Sequence, residues 1–525
     1  MSAKKLYQQM LHYLGYVTVE PIAFVVVMGA VINAIVIVDG LYHTICEREF
    51  GSNLTFRCSD QKSWPPDVET RVQKISTNWD IYQGLASIIP SIPLDLFLGA
   101  WGDKNGRQIN VLLGLSGTVV GAYCSNMVIS PVVKAPLFAL VIGSLVSGCT
   151  GTFSLVPINL FAYLSDIIPD PRMLSLRVTI VYACVNAATI IGGFLTVLLT
   201  DRHALNLSDQ TAALISFLMI ALPFFYTMWR IPQIPPEMLK PRKKQRNRDS
   251  INSFDATKPR RASTRTSRQS VVEQSRGILA ETWAHTKETV RIYAQKRQGH
   301  RRAFLILMAV FYFVIIAVFS ESKGTVIQLY TYRTTGERAI GWTEKEFSIW
   351  NAVSAILGLF GSLVGIWVLK TKLNLGDAAV ILIGMFSRML KLLMIGLSNS
   401  GWLMYISSVL GMVADVTRPG IYGFTALIVP PNEVGKAYAA YAIMENLALL
   451  GATAIYHNIY IATLDFFAGT LFLVIAFSLL ICEFIMVWIY LQAKREGVTE
   501  EDRFRGETTS SRNSQYEYEL RESDY

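Results

Sequence analysis

The stretch of sequence that decides the fold runs from Asp95 to Gln108 and reads DLFLGAWGDKNGRQ. It connects two long apolar segments through a short, glycine-rich and charged turn. Glycines permit the tight backbone geometry of such a turn, and charged side chains can bridge the ends of the flanking helices. The glycines are Gly99, Gly102 and Gly106, and the charged residues that fit this role are Asp103 and Arg107. We therefore predict a turn between two helices in which Asp103, Gly106 and Arg107 act as a conformational latch.

Apolar residues dominate the chain on both sides of this turn. They make up 52% of the sequence against 17% charged residues, and they occur in long runs rather than in periodic stripes. A helix of about twenty apolar residues crosses a bilayer, and this criterion gives about twelve membrane-spanning segments. The predicted spans are 20–44, 79–100, 110–129, 135–164, 174–199, 210–229, 303–323, 346–369, 377–397, 402–429, 437–461 and 465–492. The sequence thus predicts an all-α transmembrane protein.

Lysine and arginine residues in the short loops predict the orientation of the spans. They concentrate in alternate loops, as at Lys370 and Lys372, whereas the loops near 398–401 and 460–466 contain none. Loops rich in these residues stay on the cytoplasmic side, so both termini are predicted to be cytoplasmic. Residues 1–16 are polar and lead into a full-length span, which indicates that no cleavable signal peptide is present.

A basic segment separates the two groups of spans. It carries much of the excess behind the net charge of +9, so this charge does not indicate nucleic-acid binding. Its basic and Ser/Thr-rich composition has too few aliphatic residues for a core, and such segments beside a membrane bind anionic lipids. The predicted domains are an N-terminal six-helix bundle (1–229), this basic cytoplasmic linker (230–302), a C-terminal six-helix bundle (303–492) and a cytoplasmic tail (493–525).

The turn also fits a known pattern, Gly-x-x-x-Asp-x-x-Gly-Arg, from Gly99 to Arg107. It resembles the signature loop between the second and third helices of the major facilitator superfamily. The resemblance implies a major facilitator fold, with two six-helix bundles around a central cavity, and a secondary transporter whose halves rock around a midplane site. The equal division of the spans by the linker agrees with such a duplicated architecture.

The loop after the first span, residues 43–78, lies on the predicted outer side. It contains Cys46 and Cys58, with Asn53 between them in the sequon Asn-Leu-Thr. An oxidising compartment permits a disulfide, and the sequon permits N-glycosylation. The other cysteines fall within spans, where they fit as small packing residues. We predict a Cys46–Cys58 disulfide and glycosylation at Asn53.

Further points carry a narrower resemblance. They are Val19-Glu20-Pro21 at the start of the first span, the sequon followed by cysteine, Trp79 at the start of the second span and the turn itself. Together they look like the proton-coupled folate transporter family, also called the heme carrier family. The resemblance implies proton-coupled uptake of an organic anion, folate-like or muropeptide-like. That family carries a coupling glutamate in its fifth span, whereas Met173 to Thr200 contains no carboxylate. The proton site then lies elsewhere, or coupling is absent.

Ionisable residues inside the spans give independent candidates, because a charge in hydrocarbon is costly unless it faces a cavity or a partner. Asp415 and Arg418 lie three residues apart in the tenth span, before Pro419-Gly420, which we expect to break the helix. Arg418 would bind an anionic substrate and Asp415 would release a proton. Arg418 also matches a cavity-facing arginine of the folate transporter family. The alternative is a structural ion pair between helices.

Two further cations and two carboxylates complete this set. Arg388 and Lys391 lie three residues apart in the ninth span, where one would contact the anion and the other would snorkel to the membrane surface or pair with Glu445. Glu445 in the eleventh span and Asp39 in the first are the remaining proton-coupling candidates. The sequence does not show which of Arg388 and Lys391 would contact the anion.

Polar aromatic and amide side chains are predicted to line the substrate cavity, since binding pockets surround most of their ligand. The candidates are Tyr182, Asn186, Tyr422 and Tyr441. For each of them, packing between helices is the alternative role.

Other classes of function were weighed against transport. A transporter-like receptor or scaffold without net transport is the alternative function. An enzyme is not expected, because the sequence shows no paired catalytic carboxylates, no metal-ligand spacing and no nucleotide loop. We expect no cofactor and no metal, a monomer that binds an organic anion and protons, and a location in the plasma membrane or, alternatively, in the endolysosomal membrane.

Overall fold

The structure is a computed structural model that describes residues 18–51, 56–167, 171–201, 203–231, 291–321, 324–336, 338–430 and 433–498. The described residues form helices and turns without a β-strand. Helices satisfy the backbone hydrogen bonds of long apolar segments internally, as a bilayer requires. The predicted all-α class is therefore confirmed. Asn53, the tail and most of the linker lie outside the described residues.

The helices before the linker follow the predicted spans. They are α1 (Glu20–Phe50), α2 (Pro66–Asn105), α3 (Gln108–Ile129), α4 (Phe138–Gly148), α5 (Leu155–Ile167), α6 (Pro171–Thr200) and α7 (Asp209–Arg230). The α2 helix contains Pro90 and Pro93, residues that kink a helix by removing a backbone donor. The fourth predicted span is two helices, α4 and α5, rather than one.

The helices after the linker include one short addition and a predicted span that is divided into two helices. They are α8 (Arg301–Glu321), α9 (Thr325–Tyr332), α10 (Glu344–Trp367), α11 (Asp377–Leu397), α12 (Gly401–Leu410), α13 (Thr417–Ile428), α14 (Val434–Thr463) and α15 (Thr470–Arg495). The addition is α9, and α12 and α13 take the place of one predicted span. The α10 helix continues as a π-helical turn, Val368–Lys372. In the described part of the chain, α1, α3, α6, α7, α8, α10, α11 and α15 contain segments long and apolar enough to cross a membrane.

The tenth predicted span is broken at a different place from the one predicted. The α12 helix ends at Leu410, and a 3-10 turn, Ala414–Val416, precedes α13. Pro419 and Gly420 lie within the first turn of α13, where proline is tolerated because its missing N–H has no intrahelical partner. The prediction that Pro419-Gly420 breaks the helix is therefore wrong, and the interruption begins at Gly411.

The chain folds into two compact units. The first contains Met1–His285, Thr331–Gly336 and Gly341–Ala352, and the second contains Thr286–Tyr330, Glu337–Ile340 and Val353–Tyr525. Each unit has its own apolar core, around Val111, Leu115 and Leu160 in the first and around Phe311 and Phe424 in the second. The short segments 331–336 and 341–352 bring the end of α9 and the start of α10 into the first unit.

Candidate substrate and proton sites

The glycine-rich turn requires glycine at two places. Gly106 ends α2 with φ of 104°, a conformation that favours glycine, and its N–H donates to the Gly102 carbonyl at 3.0 Å. A Cβ on Gly102 would come within 2.5 Å of Asn110 Nδ2. The side chain of Asp103 lies outside the described part of the chain, so the latch formed with Arg107 stays a prediction.

Two buried asparagines lie beneath this turn and were missed in the sequence. Asn110 and Asn159 are both fully buried. The Asn110 amide donates to Asn159 Oδ1 at 3.0 Å and to the Leu98 carbonyl at 2.5 Å, and Asn159 donates to the Leu155 carbonyl. This network joins α2, α3 and α5 in the first unit. The only signal in the sequence is that each asparagine is an isolated polar residue within an apolar segment.

In the second unit, Arg388 forms an ion pair with Asp415. The two side chains approach to 2.6 Å between Nη2 and Oδ1. Arg388 is buried, with 4% of its surface exposed, whereas the Asp415 side chain is 42% exposed. The predicted alternative of a structural ion pair therefore exists, but its cation is Arg388. Glu445 instead accepts a hydrogen bond from Tyr312 at 3.1 Å.

Arg418 lies beside this pair. Its guanidinium carbon is 4.4 Å from the centroid of the Phe319 ring, and that of Arg388 is 5.7 Å from the same centroid. Within the described residues, Arg418 forms no ion pair. A guanidinium stacked on an aromatic ring is held in place while its N–H donors remain available for a carboxylate or sulfate. Phe319 was missed in the sequence, because a single phenylalanine in an apolar span carries no signal.

A group of tyrosines packs near the same helices. The Tyr422 hydroxyl donates to Tyr312 at 3.2 Å, and Tyr312 stacks on Tyr441 with their ring centroids 4.7 Å apart. Tyr441 is fully buried, and its hydroxyl bonds Thr425. This burial agrees with packing between helices, the alternative role of Tyr441, and its place in the cavity wall stays a prediction. Tyr422 is only partly buried and remains a candidate.

The two candidates in α6 belong to the first unit. Tyr182 is 55% exposed and stacks on Phe161 with ring centroids 5.0 Å apart. Asn186 donates to the Tyr182 carbonyl at 2.9 Å. Tyr182 exposes aromatic surface that a ligand could contact, whereas the Asn186 amide already donates within its own helix.

The disulfide end of the first unit contains Asp39. Cys46 and Cys58 form the predicted disulfide, and His43 bonds the Cys58 carbonyl through Nδ1 at 2.7 Å. His43 Nε2 also lies 3.6 Å from Asp39 Oδ2. Both residues line a cavity of about 530 Å³. Asp39 is thus beside a solvent-connected space rather than in a sealed core.

Comparison with known proteins decides the family. The profile of the Major Facilitator Superfamily matches residues 74–453, which include the glycine-rich turn and most of both units. The chain belongs to the Major Facilitator Superfamily. Its members share the helical fold described above, so the predicted fold class is confirmed, and the protein is a multi-pass membrane transporter.

Individual relatives are similar over nearly the whole chain. The proton-coupled folate transporter of Bos taurus is 23% identical over 89% of this chain and 91% of its own length. A lysosomal proton-coupled steroid conjugate and bile acid symporter of Gallus gallus is 21% identical over 90% of this chain and 93% of its own. These matches confirm the predicted resemblance to the proton-coupled folate transporter family.

A solved structure supports the same fold. A transporter of the POT family, crystallised with a thioalcohol-conjugated peptide, superposes with a TM-score of 0.57 over 90% of this chain and 96% of that one. Its sequence identity is 14%, so the likeness concerns the fold alone.

Proposed function

We propose that this protein is a proton-coupled symporter of an organic anion with a bulky apolar body. The observation that carries the proposal is the stacking of two arginines, Arg418 and Arg388, on Phe319, with one partly exposed carboxylate, Asp415, paired with Arg388. Two guanidinium groups and one carboxylate leave a positive charge beside an aromatic ring. This combination suits a ligand that has both an anionic group and a ring system.

Asp415 links this anion site to protons. Because Asp415 is partly exposed, water and protons reach the carboxylate that holds Arg388. Protonation of Asp415 removes its charge, and the guanidinium of Arg388 then becomes available to the substrate anion. Arg388 and Arg418 are the substrate-binding cations of the proposal, and Tyr422, in the same unit, is its aromatic wall residue. Tyr182, in the first unit, stays a separate candidate for a ligand contact.

The substrate class also agrees with the named relatives. One is named for folate and one for steroid conjugates and bile acids, and all of these compounds combine fused rings with an anionic group. The relatives are named as transporters or symporters, which favours net transport over a receptor or scaffold. A folate, a sulfated steroid and a small muropeptide therefore form the test panel.

Location and assembly complete the proposal. The protein is a monomer in the plasma membrane, with the Cys46–Cys58 end outside, both termini in the cytoplasm and the basic linker against anionic inner-leaflet lipids. Glycosylation at Asn53 would mark the same outer loop. Surface biotinylation distinguishes this location from an endolysosomal membrane, where the biotin reagent would not reach the protein.

The first experiment is uptake of the labelled panel into expressing cells at acidic and neutral external pH. We expect acid-stimulated uptake, and a loss of about tenfold or more in Arg418→Gln, because a charge-assisted hydrogen bond contributes roughly 1.5–3 kcal/mol. Arg418→Lys should retain part of the uptake, since it keeps the charge but loses the planar guanidinium.

Arg338→Gln is the matched control. Arg338 also stacks on an aromatic ring, 5.2 Å from the centroid of Phe467, but at an exposed position. Its substitution should leave uptake unchanged. Equal uptake by wild type and Arg418→Gln, at equal surface expression, would overturn the proposed anion site. Absence of uptake by the wild type at the cell surface would overturn the proposed plasma-membrane function.

A further inference from the structure

Three carboxylates from distant parts of the sequence meet at the disulfide end of the first unit. Asp39 lies in α1, Asp209 begins α7 and Glu344 begins α10. One carboxylate oxygen of each lies within 4.8 Å of the other two. Gly40 helps to bring them together, because a Cβ there would come within 3.2 Å of Ile129 and within 3.5 Å of the Asp209 Cβ. Packing of three helices, not a local motif, thus creates the cluster.

The charge of this cluster is not balanced by its helices. Three ionised carboxylates at this separation repel one another strongly. Asp209 and Glu344 each lie at the first position of a helix, where the helix dipole offsets about half an elementary charge. Two helix ends therefore offset about one charge in total. Roughly two negative charges remain, and binding of a proton to one carboxylate would reduce their mutual repulsion.

The neighbouring groups supply hydrogen bonds but little positive charge. Tyr332 bonds the Asp39 carboxylate, and Thr200 bonds that of Glu344. His43 approaches Asp39, as described above, and becomes cationic only when protonated. The Lys345 ammonium is bound by Asp201 at 2.8 Å. The other titratable residues that line the cavity are Asp60, Lys62 and His203.

Glu344 provides a second and independent indication of a ligand. It is buried, with 8% of its surface exposed, and its Oε1 atom has no hydrogen-bond partner among the described residues. A buried carboxylate oxygen without a partner is costly. A proton on one carboxyl group of the cluster would satisfy a neighbouring oxygen and remove one charge at the same time.

A proton fits this site better than a metal ion. With one oxygen from each carboxylate and the hydroxyls of Tyr332 and Thr200, the described residues offer five oxygens, whereas calcium takes about six to eight and would need bidentate carboxylates or water to complete its shell. The adjoining cavity is lined by Asp39 and Glu344 themselves. It gives water a path to two of the three carboxylates.

We propose that Asp39, Asp209 and Glu344 form a shared proton-binding site through which protons from the outer compartment enter the transport cycle. The proposal rests on the proposed proton-coupled transport and adds a proton-accepting group to it. The proton comes from water in the cavity, binds a carboxylate oxygen and leaves the cluster with one charge fewer. Glu344, as the most buried member, holds this proton.

The test compares Glu344→Gln with the wild type in two transport assays. Net accumulation of the panel anion requires proton movement, whereas exchange of labelled for unlabelled anion does not. We expect Glu344→Gln to lose acid-stimulated accumulation and to retain exchange. In Asp209→Asn the pH profile should shift by about one unit toward acid, because removal of a like charge lowers the proton affinity of the remaining carboxyl groups.

Glu346→Gln is the matched control, because Glu346 is exposed in the same helical turn and accepts a hydrogen bond from the neighbouring Thr343 backbone. It should behave as the wild type does. Wild-type acid stimulation in Glu344→Gln would overturn the proposal. If Glu344→Gln does not reach the membrane, Asp209→Asn is the deciding variant. An unshifted pH profile in Asp209→Asn would also overturn the proposal.

A readout without substrate keeps this proposal separate from the proposed function. Infrared difference spectra of the purified protein, between acidic and neutral pH, should show a carboxylic acid band that Glu344→Gln lacks. A band of equal size in the variant would overturn the proton site even if no panel anion is transported. Calcium or sodium chloride, added at constant pH and ionic strength, should not raise the unfolding temperature; stabilisation lost in Glu344→Gln would show a metal site instead.

Discussion

At the scale of residues, each charged side chain of the candidate sites is positioned by the side chains that it contacts. Arg418 is placed by the ring of Phe319, and Arg388 by the carboxylate of Asp415. In the first unit, the unsatisfied oxygen of Glu344 gives the clearest indication of a bound proton. For the two arginines, a charged group within a span has its partner on another element, as the cost of charge in a membrane requires.

The backbone of Gly106 gives a prediction at this scale. Its φ of 104° is strained for any residue with a side chain, at a cost of about 1–3 kcal/mol. We expect Gly106→Ala to lower the unfolding temperature of the detergent-purified protein and its surface delivery. Gly121→Ala in α3 is the control, because a Cβ there has its nearest neighbour at 3.8 Å. Equal stability of the two variants would contradict the claim that the backbone conformation at residue 106 requires glycine.

At the scale of elements, interruptions in helices position the site. The tenth predicted span breaks between α12 and α13, which places Asp415 in a 3-10 turn and Arg418 in the first turn of α13. Asp415 can therefore turn toward α11 and pair with Arg388. A continuous helix would have placed Asp415 and Arg418 on one face instead, as the sequence predicts.

Close packing of α10 against this break gives a second prediction. A Cβ on Gly361 would come within 2.3 Å of the Met412 carbonyl oxygen, whereas one on Gly358 would lie 3.5 Å from the nearest atom, Asp415 Oδ2. We expect Gly361→Ala to separate the two elements and to destabilise the protein by about 1–3 kcal/mol. Gly358→Ala, in the same helix, should cost much less. Thermal unfolding in detergent measures the difference, and the reverse order of stabilities would contradict it.

For the whole molecule, the response to pH has to be assigned to the correct groups. A hydrogen bond from Lys345 lowers the pKa of the Asp201 carboxyl. The pair therefore contributes stability above the ordinary aspartate pKa of about 3.9, and this contribution is lost only as pH falls through the lower folded value. At the mild acidity that drives uptake, Asp201 remains ionised and bound to Lys345.

The matching prediction uses Lys345→Gln. We expect this variant to lower the unfolding temperature equally at neutral and at mildly acidic pH, because Asp201 does not titrate between them. Lys345→Arg should preserve most of the wild-type stability. A loss confined to neutral pH would mean that this pair, and not the carboxylate cluster, responds to external acid.

Many residues of the candidate site could be predicted from the sequence. Which of these residues contact each other could not be predicted. Arg388, Arg418 and Asp415 were predicted because charges inside apolar segments are conspicuous. Their arrangement was not, because residues 388 and 415 meet across two helices. The sequence leaves the role of Tyr441 open, because an aromatic residue in a span can face a cavity or a core, and the structure buries its side chain. Asp209 and Glu344 lie at predicted span boundaries, where a carboxylate is unremarkable.

The sequence by itself determined the helical class, the transport family and the disulfide. Long apolar runs permit only helices or barrels in a bilayer, the glycine-rich turn demands its own backbone geometry, and Cys46 and Cys58 lie only 12 residues apart. The tertiary structure alone decided which charges are partners. Ion pairs and proton sites depend on distances of a few ångströms between helices, and those distances arise from packing between segments that are far apart in the chain.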